Sequence, residues 1–188
     1  MNWNEIILIG ASAGGLKALS KLLSYLPEHF VYPILVVQHI QDGSSSYLAD
    51  YLNEQTPLVV KEAEDKEMIQ RGFVYLAPPG YHMLVELDKT ISLSVDPRVN
   101  FSRPSIDVLF ESGAYVMEQH CKGIVLTGSN RDGSAGLKAI KQHGGTTIVQ
   151  APETAEYKTM PEAAIQSIQV DFIMSIEEIG HYLSGLQS

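Results

Sequence analysis

Ser12 lies in Gly10-Ala11-Ser12-Ala13-Gly14-Gly15, directly after the apolar run Glu5–Ile9 and directly before a leucine-rich segment. The Gly-x-Ser-x-Gly spacing lets a serine occupy a tight strand-to-helix turn with its hydroxyl exposed. The helix that follows aims backbone N–H groups and its positive dipole end at the same spot, which suits a developing oxyanion. The same run also suits a phosphate cradle, or a plain strand–helix junction, and the motif alone does not choose among the three. A dinucleotide site asks for an acidic residue about 20 positions on, at the end of the second strand. That strand ends Val36-Val37-Gln38-His39, with Asp42 three residues later, and no Gly-Lys-Ser/Thr follows the glycines as a phosphate loop would need.

His39 is the second group with chemistry to offer. A lone histidine is most often structural or solvated, but the end of an apolar strand is where parallel sheets collect catalytic groups. The third is Asp132, in Leu126-Thr127-Gly128-Ser129-Asn130-Arg131-Asp132-Gly133. An aspartate just before a helix is commonly its N-cap. A buried one that accepts from a histidine N–H instead fixes the ring's tautomer and stabilises the imidazolium. The three residues offer nucleophile, base and orienter in the chain order Ser–His–Asp, which is not the order of α/β-hydrolases.

These residues need strands to carry them. Apolar runs alternate with helical patterns, the signature of a doubly wound, mostly parallel α/β sheet with helices on both faces. Seven sheet strands are expected: Glu5–Ile9, Pro33–Gln38, Pro57–Val60, Phe73–Ala77, Gly123–Leu126, Thr146–Gln150 and Val170–Met174. Met83–Leu87 and Ile91–Val95 flank Asp88-Lys89-Thr90 and predict a small antiparallel hairpin. The first helix should bury Leu16, Leu19, Leu22 and Leu23 on one side. Gly43-Ser44-Ser45-Ser46 supplies N-cap chemistry for a helix through about Leu52, and further helices are expected from Pro104 to about His120 and over Asp132–His143, Pro161–Ser167 and Ile176–Leu186.

With 188 residues the chain suits a single domain over 1–188. Its 13 Lys and Arg against 22 Asp and Glu leave a net charge of −9, which argues against nucleic acid and anionic membranes as partners. No apolar run is long enough for membrane insertion and no signal peptide is visible, so a cytoplasmic location is expected. One cysteine, Cys121, closes no intrachain disulfide and reads as a quiet structural thiol. The six histidines show no metal-ligand spacing, so neither a metal nor another cofactor is expected.

Six blocks occur in order: Gly10–Gly15, Val37-Gln38-His39, Val74–His82, Arg103–Phe110, Leu126-Thr127-Gly128 with Asp132-Gly133, and Met160–Ile165. In register over nearly the whole chain, they resemble the catalytic domain of the chemotaxis protein-glutamate methylesterase (CheB) family. The resemblance implies a cofactor-independent serine hydrolase that demethylates glutamyl γ-methyl esters of a methylated chemoreceptor, with methanol released and glutamine deamidation as a companion activity of some members. It makes Ser12 the nucleophile, His39 the base and Asp132 its orienter. Ala13 and Ser129 are candidates near the oxyanion, and Arg103 is a candidate for substrate binding. His82 and Tyr157 fall in family-like blocks as possible cleft residues, and Met160-Pro161 is expected to shape a turn. Ala13 stands where the family usually has threonine, Ser129-Asn130 where it has Met-Gly, and Ile40–Ser45 departs after the histidine. These departures keep a non-catalytic binding or regulatory module as the alternative. Relatives carry a receiver domain before this unit and no room for one precedes Ile6, so the expectation is an effector domain standing alone, either natively or as an excised piece; if native, its regulation is expected from a separate partner, from expression or from substrate supply.

Overall fold

The computed structural model describes residues 3–39 and 47–186. The expected Gly43–Ser46 cap, Asp42 and the Ile40–Ser45 stretch lie outside the described residues. Seven parallel strands form the main sheet: β1 (Ile6–Ala11), β2 (Ile34–Gln38), β3 (Val59–Glu62), β4 (Phe73–Leu76), β7 (Cys121–Val125), β8 (Thr146–Gln150) and β9 (Phe172–Met174). Their order is β3-β4-β2-β1-β7-β8-β9. β5 (His82–Val85) and β6 (Ile91–Ser94) pair antiparallel as the separate hairpin. The helices are α1 (Gly15–Leu23), α2 (Tyr47–Gln55), α3 (Ile106–Met117), α4 (Ser134–Gln142), α5 (Thr159–Ser167) and α6 (Ile176–Gly185).

Every residue of β1 is buried because both of its faces are covered. Ile6 and Leu8 pack with Leu109, Phe110, Leu137 and Ile140 of α3 and α4, under the hairpin. Ile7 and Ile9 face Leu19, Leu22 and Ile179 of α1 and α6. Each such side chain contributes about 2 kcal/mol relative to exposure, which makes this two-sided burial, rather than helix propensity, the main source of the layered order. None of the described helices is long and apolar enough to cross a membrane.

Several expected boundaries move, each for a local reason. β1 runs two residues past Ile9 because Gly10 and Ala11 continue the ladder to Val37 and Gln38. α3 begins at Ile106 rather than Pro104, and its chain continues past Met117 as a short 3-10 turn over Glu118–His120. α4 begins at Ser134 rather than Asp132, since Gly133 turns there with φ 96°. α5 starts at Thr159, which puts Pro161 in its first turn, where a missing N–H costs nothing. Leu16 is a correction. The buried stripe of α1 is Gly15, Ala18, Leu19, Leu22 and Leu23, while Leu16 is 39% exposed at the cleft beside Ser12.

Candidate active site

β1 hands the chain to β2 on one side, whereas β7, its other neighbour, hands it to β8 on the opposite side. The carboxyl ends of β1 and β7 therefore form the switch-point crevice where doubly wound sheets hold ligands. Ser12 follows β1, His39 follows β2, and the Thr127–Asp132 segment follows β7. Pairing of Ala11 with Gln38 leaves Ser12 and His39 as the next residues on adjacent strands. Ser12 N–H donates to Thr127 O at 3.0 Å and His39 N–H to Ala11 O at 3.0 Å. The Gln38 side chain then clamps the two loops, its Nε2 donating to Ser12 O and His39 O, both at 2.8 Å. Gly15 leaves room for that clamp: a Cβ there would come within 1.9 Å of Gln38 Oε1. A cleft of about 380 Å³ lined by Ser12, Gly14, Leu16, Gln38 and Tyr51 opens at the serine. A larger cleft of about 440 Å³ lies across Gly14 and Thr127, toward Lys21, Glu156 and Glu177. The smaller one is the candidate reaction cleft because Ser12 lines it.

His39 Nε2 lies 2.9 Å from Asp132 Oδ2, with the histidine side chain 12% exposed and the aspartate fully buried. Asp132 also accepts from Ser105 Oγ at 2.8 Å, Ile106 N at 2.6 Å, Asp107 N at 3.1 Å and Asn100 Nδ2 at 3.1 Å. It does cap a helix, but across the fold: two of these donors are first-turn amides of α3, not of the following α4. Asp107 returns the favour, taking Gly133 N at 2.9 Å and Gly136 N at 2.7 Å at the start of α4. Asn100 bridges the two carboxylates, donating also to Asp107 Oδ2 at 2.7 Å.

These surroundings set the two carboxyls apart. Burial works against the Asp132 charge, but the hydrogen bonds from His39 and from the Ile106 and Asp107 amides outweigh it and hold the group below the ordinary 3.8. Burial pushes Asp107 up to about 6, with the Asp132 charge adding to the effect and the Gly136 and Gly133 amides opposing it. Asp132, the carboxyl that meets the imidazole, is thus the more readily ionised of the pair.

The remaining candidates fall around this centre. Ala13 forms the turn after Ser12, and its carbonyl accepts from Thr127 Oγ1 at 2.9 Å. Neither the Ala13 nor the Gly14 amide donates a hydrogen bond among the described residues. Ser129 is exposed on the loop after β7. Arg103 lies behind, its Nη1 bound to the carbonyls of Val95 at 2.7 Å and Asp96 at 3.0 Å. His82 is buried, its Nδ1 accepting from Ser105 N at 3.2 Å and its Nε2 facing Pro97 O at 3.1 Å. It holds the segment that delivers Ser105 to Asp132. The Tyr157 backbone ties to Thr127 Oγ1 and Gly128 N, and Met160 covers Gly128. Cys121 is buried, and burial pushes its thiol up to about 12, far from reactivity.

Four residues of the site escaped the sequence reading: Gln38, Asn100, Ser105 and Asn130. Asn130 Nδ2 is 3.0 Å from His39 Nδ1 while its Oδ1 accepts from Asp132 N at 3.0 Å. The Asn-x-Asp spacing is a signal for that second contact, an Asx turn. Nothing local announces the first.

Comparison with known proteins identifies the fold and the family. The family model described as CheB methylesterase matches residues 7–183. A Leptospira interrogans protein named putative protein-glutamate methylesterase/protein-glutamine glutaminase is 50% identical over 179 residues, covering 95% of this chain and 92% of its own length. A Clostridium acetobutylicum protein-glutamate methylesterase/protein-glutamine glutaminase is 40% identical over 175 residues, 93% of this chain but 51% of the longer relative. The crystal structure of the Thermotoga maritima CheB methylesterase catalytic domain superposes with a TM-score of 0.94 at 33% identity, over 98% of this chain and all of that one. Sequence, sheet order and the placing of Ser12, His39 and Asp132 at one sheet edge converge: the chain belongs to the CheB methylesterase family.

Proposed function

We propose that this protein is a serine hydrolase that removes the methyl groups from glutamyl γ-methyl esters of a methylated chemoreceptor in the cytoplasm. The observation that carries this reading is the buried Asp132 paired with His39 at 2.9 Å, next to Ser12 on the adjacent strand end. Ser12 Oγ attacks the ester carbonyl and its proton passes to the His39 nitrogen that does not face Asp132. The Asp132 carboxylate stabilises the imidazolium that forms. The Ala13 and Gly14 amides, which donate to none of the described residues, are the donors offered to the tetrahedral oxyanion. Collapse breaks the bond to the methoxy oxygen, which takes the proton from His39 and leaves as methanol. Water then attacks the glutamyl-serine ester, His39 again accepts a proton, and glutamate and the Ser12 hydroxyl are released.

Incubation with methylated receptor, followed by methanol release, tests the assignment. Ser12→Ala should lose at least ~10³-fold in rate, and near-wild-type release by that variant would overturn it. Replacing the ester by a glutamine carboxamide and following ammonia tests the companion deamidation. A second reading, a CheB-like binding module without turnover, draws support from the Ser12 hydroxyl, which makes no hydrogen bond to His39. A fluorophosphonate probe separates the two, since labelling at Ser12 requires an activated hydroxyl.

A further inference from the structure

The orientation of the Asn130 carboxamide is fixed by its neighbours. Its Oδ1 accepts the Asp132 amide, so its other end, the NH2 group, is the one that meets His39 Nδ1 at 3.0 Å. An ionised carboxylate only accepts, so the His39 nitrogen facing Asp132 Oδ2 carries the ring proton. The neutral imidazole is therefore held as the Nε2–H tautomer, paired at both ends. Nδ1 holds the one lone pair able to take a proton from Ser12, and Asn130 donates into that lone pair. Ser12 Oγ makes no hydrogen bond among the described residues.

We propose that Asn130 is a positioning residue that holds the His39 base in check. Its carboxamide occupies the proton-accepting nitrogen in the resting site, and the Ser12 hydroxyl gains that nitrogen only when the carboxamide gives way. The inference rests on the serine-hydrolase reading above and adds that the resting enzyme keeps its nucleophile unactivated. A neutral hydrogen bond of this kind is worth about a five-fold bias, equivalent to about 1 kcal/mol.

Two substitutions separate this role from a structural one. Asn130→Ser keeps a side-chain oxygen for the Asp132 amide but is too short to reach the ring. Asn130→Ala removes both contacts. Asn130→Ser should raise kcat and the fluorophosphonate labelling rate at Ser12 about three- to tenfold, with KM and melting temperature unmoved. Asn130→Ala should show the same gain with a lower melting temperature. Nitrogen-15 NMR of the His39 ring should report the Nε2–H tautomer in the wild type, and the Nδ1 resonance should move toward that of an unbonded imine nitrogen in Asn130→Ser. An unchanged or slower folded Asn130→Ser enzyme, or an Nδ1–H tautomer in the wild type, overturns the proposal. Full activity of Ser12→Ala would instead overturn the serine mechanism, and the ring NMR, which needs no turnover, distinguishes the two failures.

Discussion

Gly128 offers a way to perturb the proposed nucleophile, Ser12, without touching a reacting group. A Cβ at this position would lie 2.6 Å from Met160 Sδ, 2.8 Å from Met160 Cε and 2.9 Å from Ser12 Cβ. The Gly128 backbone does not retreat easily, because its N–H donates to Tyr157 O and its carbonyl accepts from Met160 N. The end of the methionine is flexible and swings aside. Ser12 is not free to do so: its N–H donates to Thr127 O, and its carbonyl takes Gly15 N and Gln38 Nε2. Ordinary contact begins near 3.4 Å, so Gly128→Ala must drive Ser12 off by about 0.5 Å. With a misplacement of 1 Å costing about 10²-fold, the expected rate loss is about tenfold. The extra methyl should also cost about 1–3 kcal/mol of stability as overpacking. Adding Met160→Ala relieves two of the three clashes and leaves the one with Ser12. In a double-mutant cycle, stability should then show favourable coupling while methanol release stays about tenfold below that of Met160→Ala alone. Recovery of the Met160→Ala rate by the double variant would refute the claim that the methyl acts through Ser12.

The acid response and the thiol provide two further checks. Asp107, raised from 3.8 to about 6, supplies stability that is present below about pH 4 and lost as pH rises through 6, at most about 3 kcal/mol. Asp132, held below its ordinary value, has the opposite sign: its contribution is present above about pH 4 and is lost as pH falls through its folded value. In urea denaturation, the stability of the wild type minus that of Asp107→Asn should therefore drop between pH 4 and pH 7, and parallel curves would contradict the assignment. Cys121, with its thiol pushed up to about 12 in the native fold, should resist thiol reagents at pH 8 until denaturant is added. Rapid reaction of the folded protein would show that the strand end is not closed as described.

Ser12, His39 and Asp132 were legible because each combines a telling residue type with a place just beyond an apolar strand. The strands themselves were legible because burial of β1 on both faces requires an unbroken run from Ile6 to Ile9, a property of one segment alone. Leu16 was misread since periodicity gives the angle around a helix, not the point at which a cleft opens beside it.

The amino-acid sequence by itself determined the parallel layered architecture and the family, and it singled out the three groups proposed to do the chemistry, because each is written in short contiguous stretches. Only the tertiary structure decided what those groups touch. Asp132 meets His39 across 93 residues and the α3 amides across 26, and its ionised state follows from those meetings. Asn130 finds the other ring nitrogen across 91. Such contacts depend on where β1, β2 and β7 stand in the sheet and on how α3 crosses its edge. Hydrogen bonds act over about 3 Å, so these partners were set by packing between elements and not by spacing along the chain.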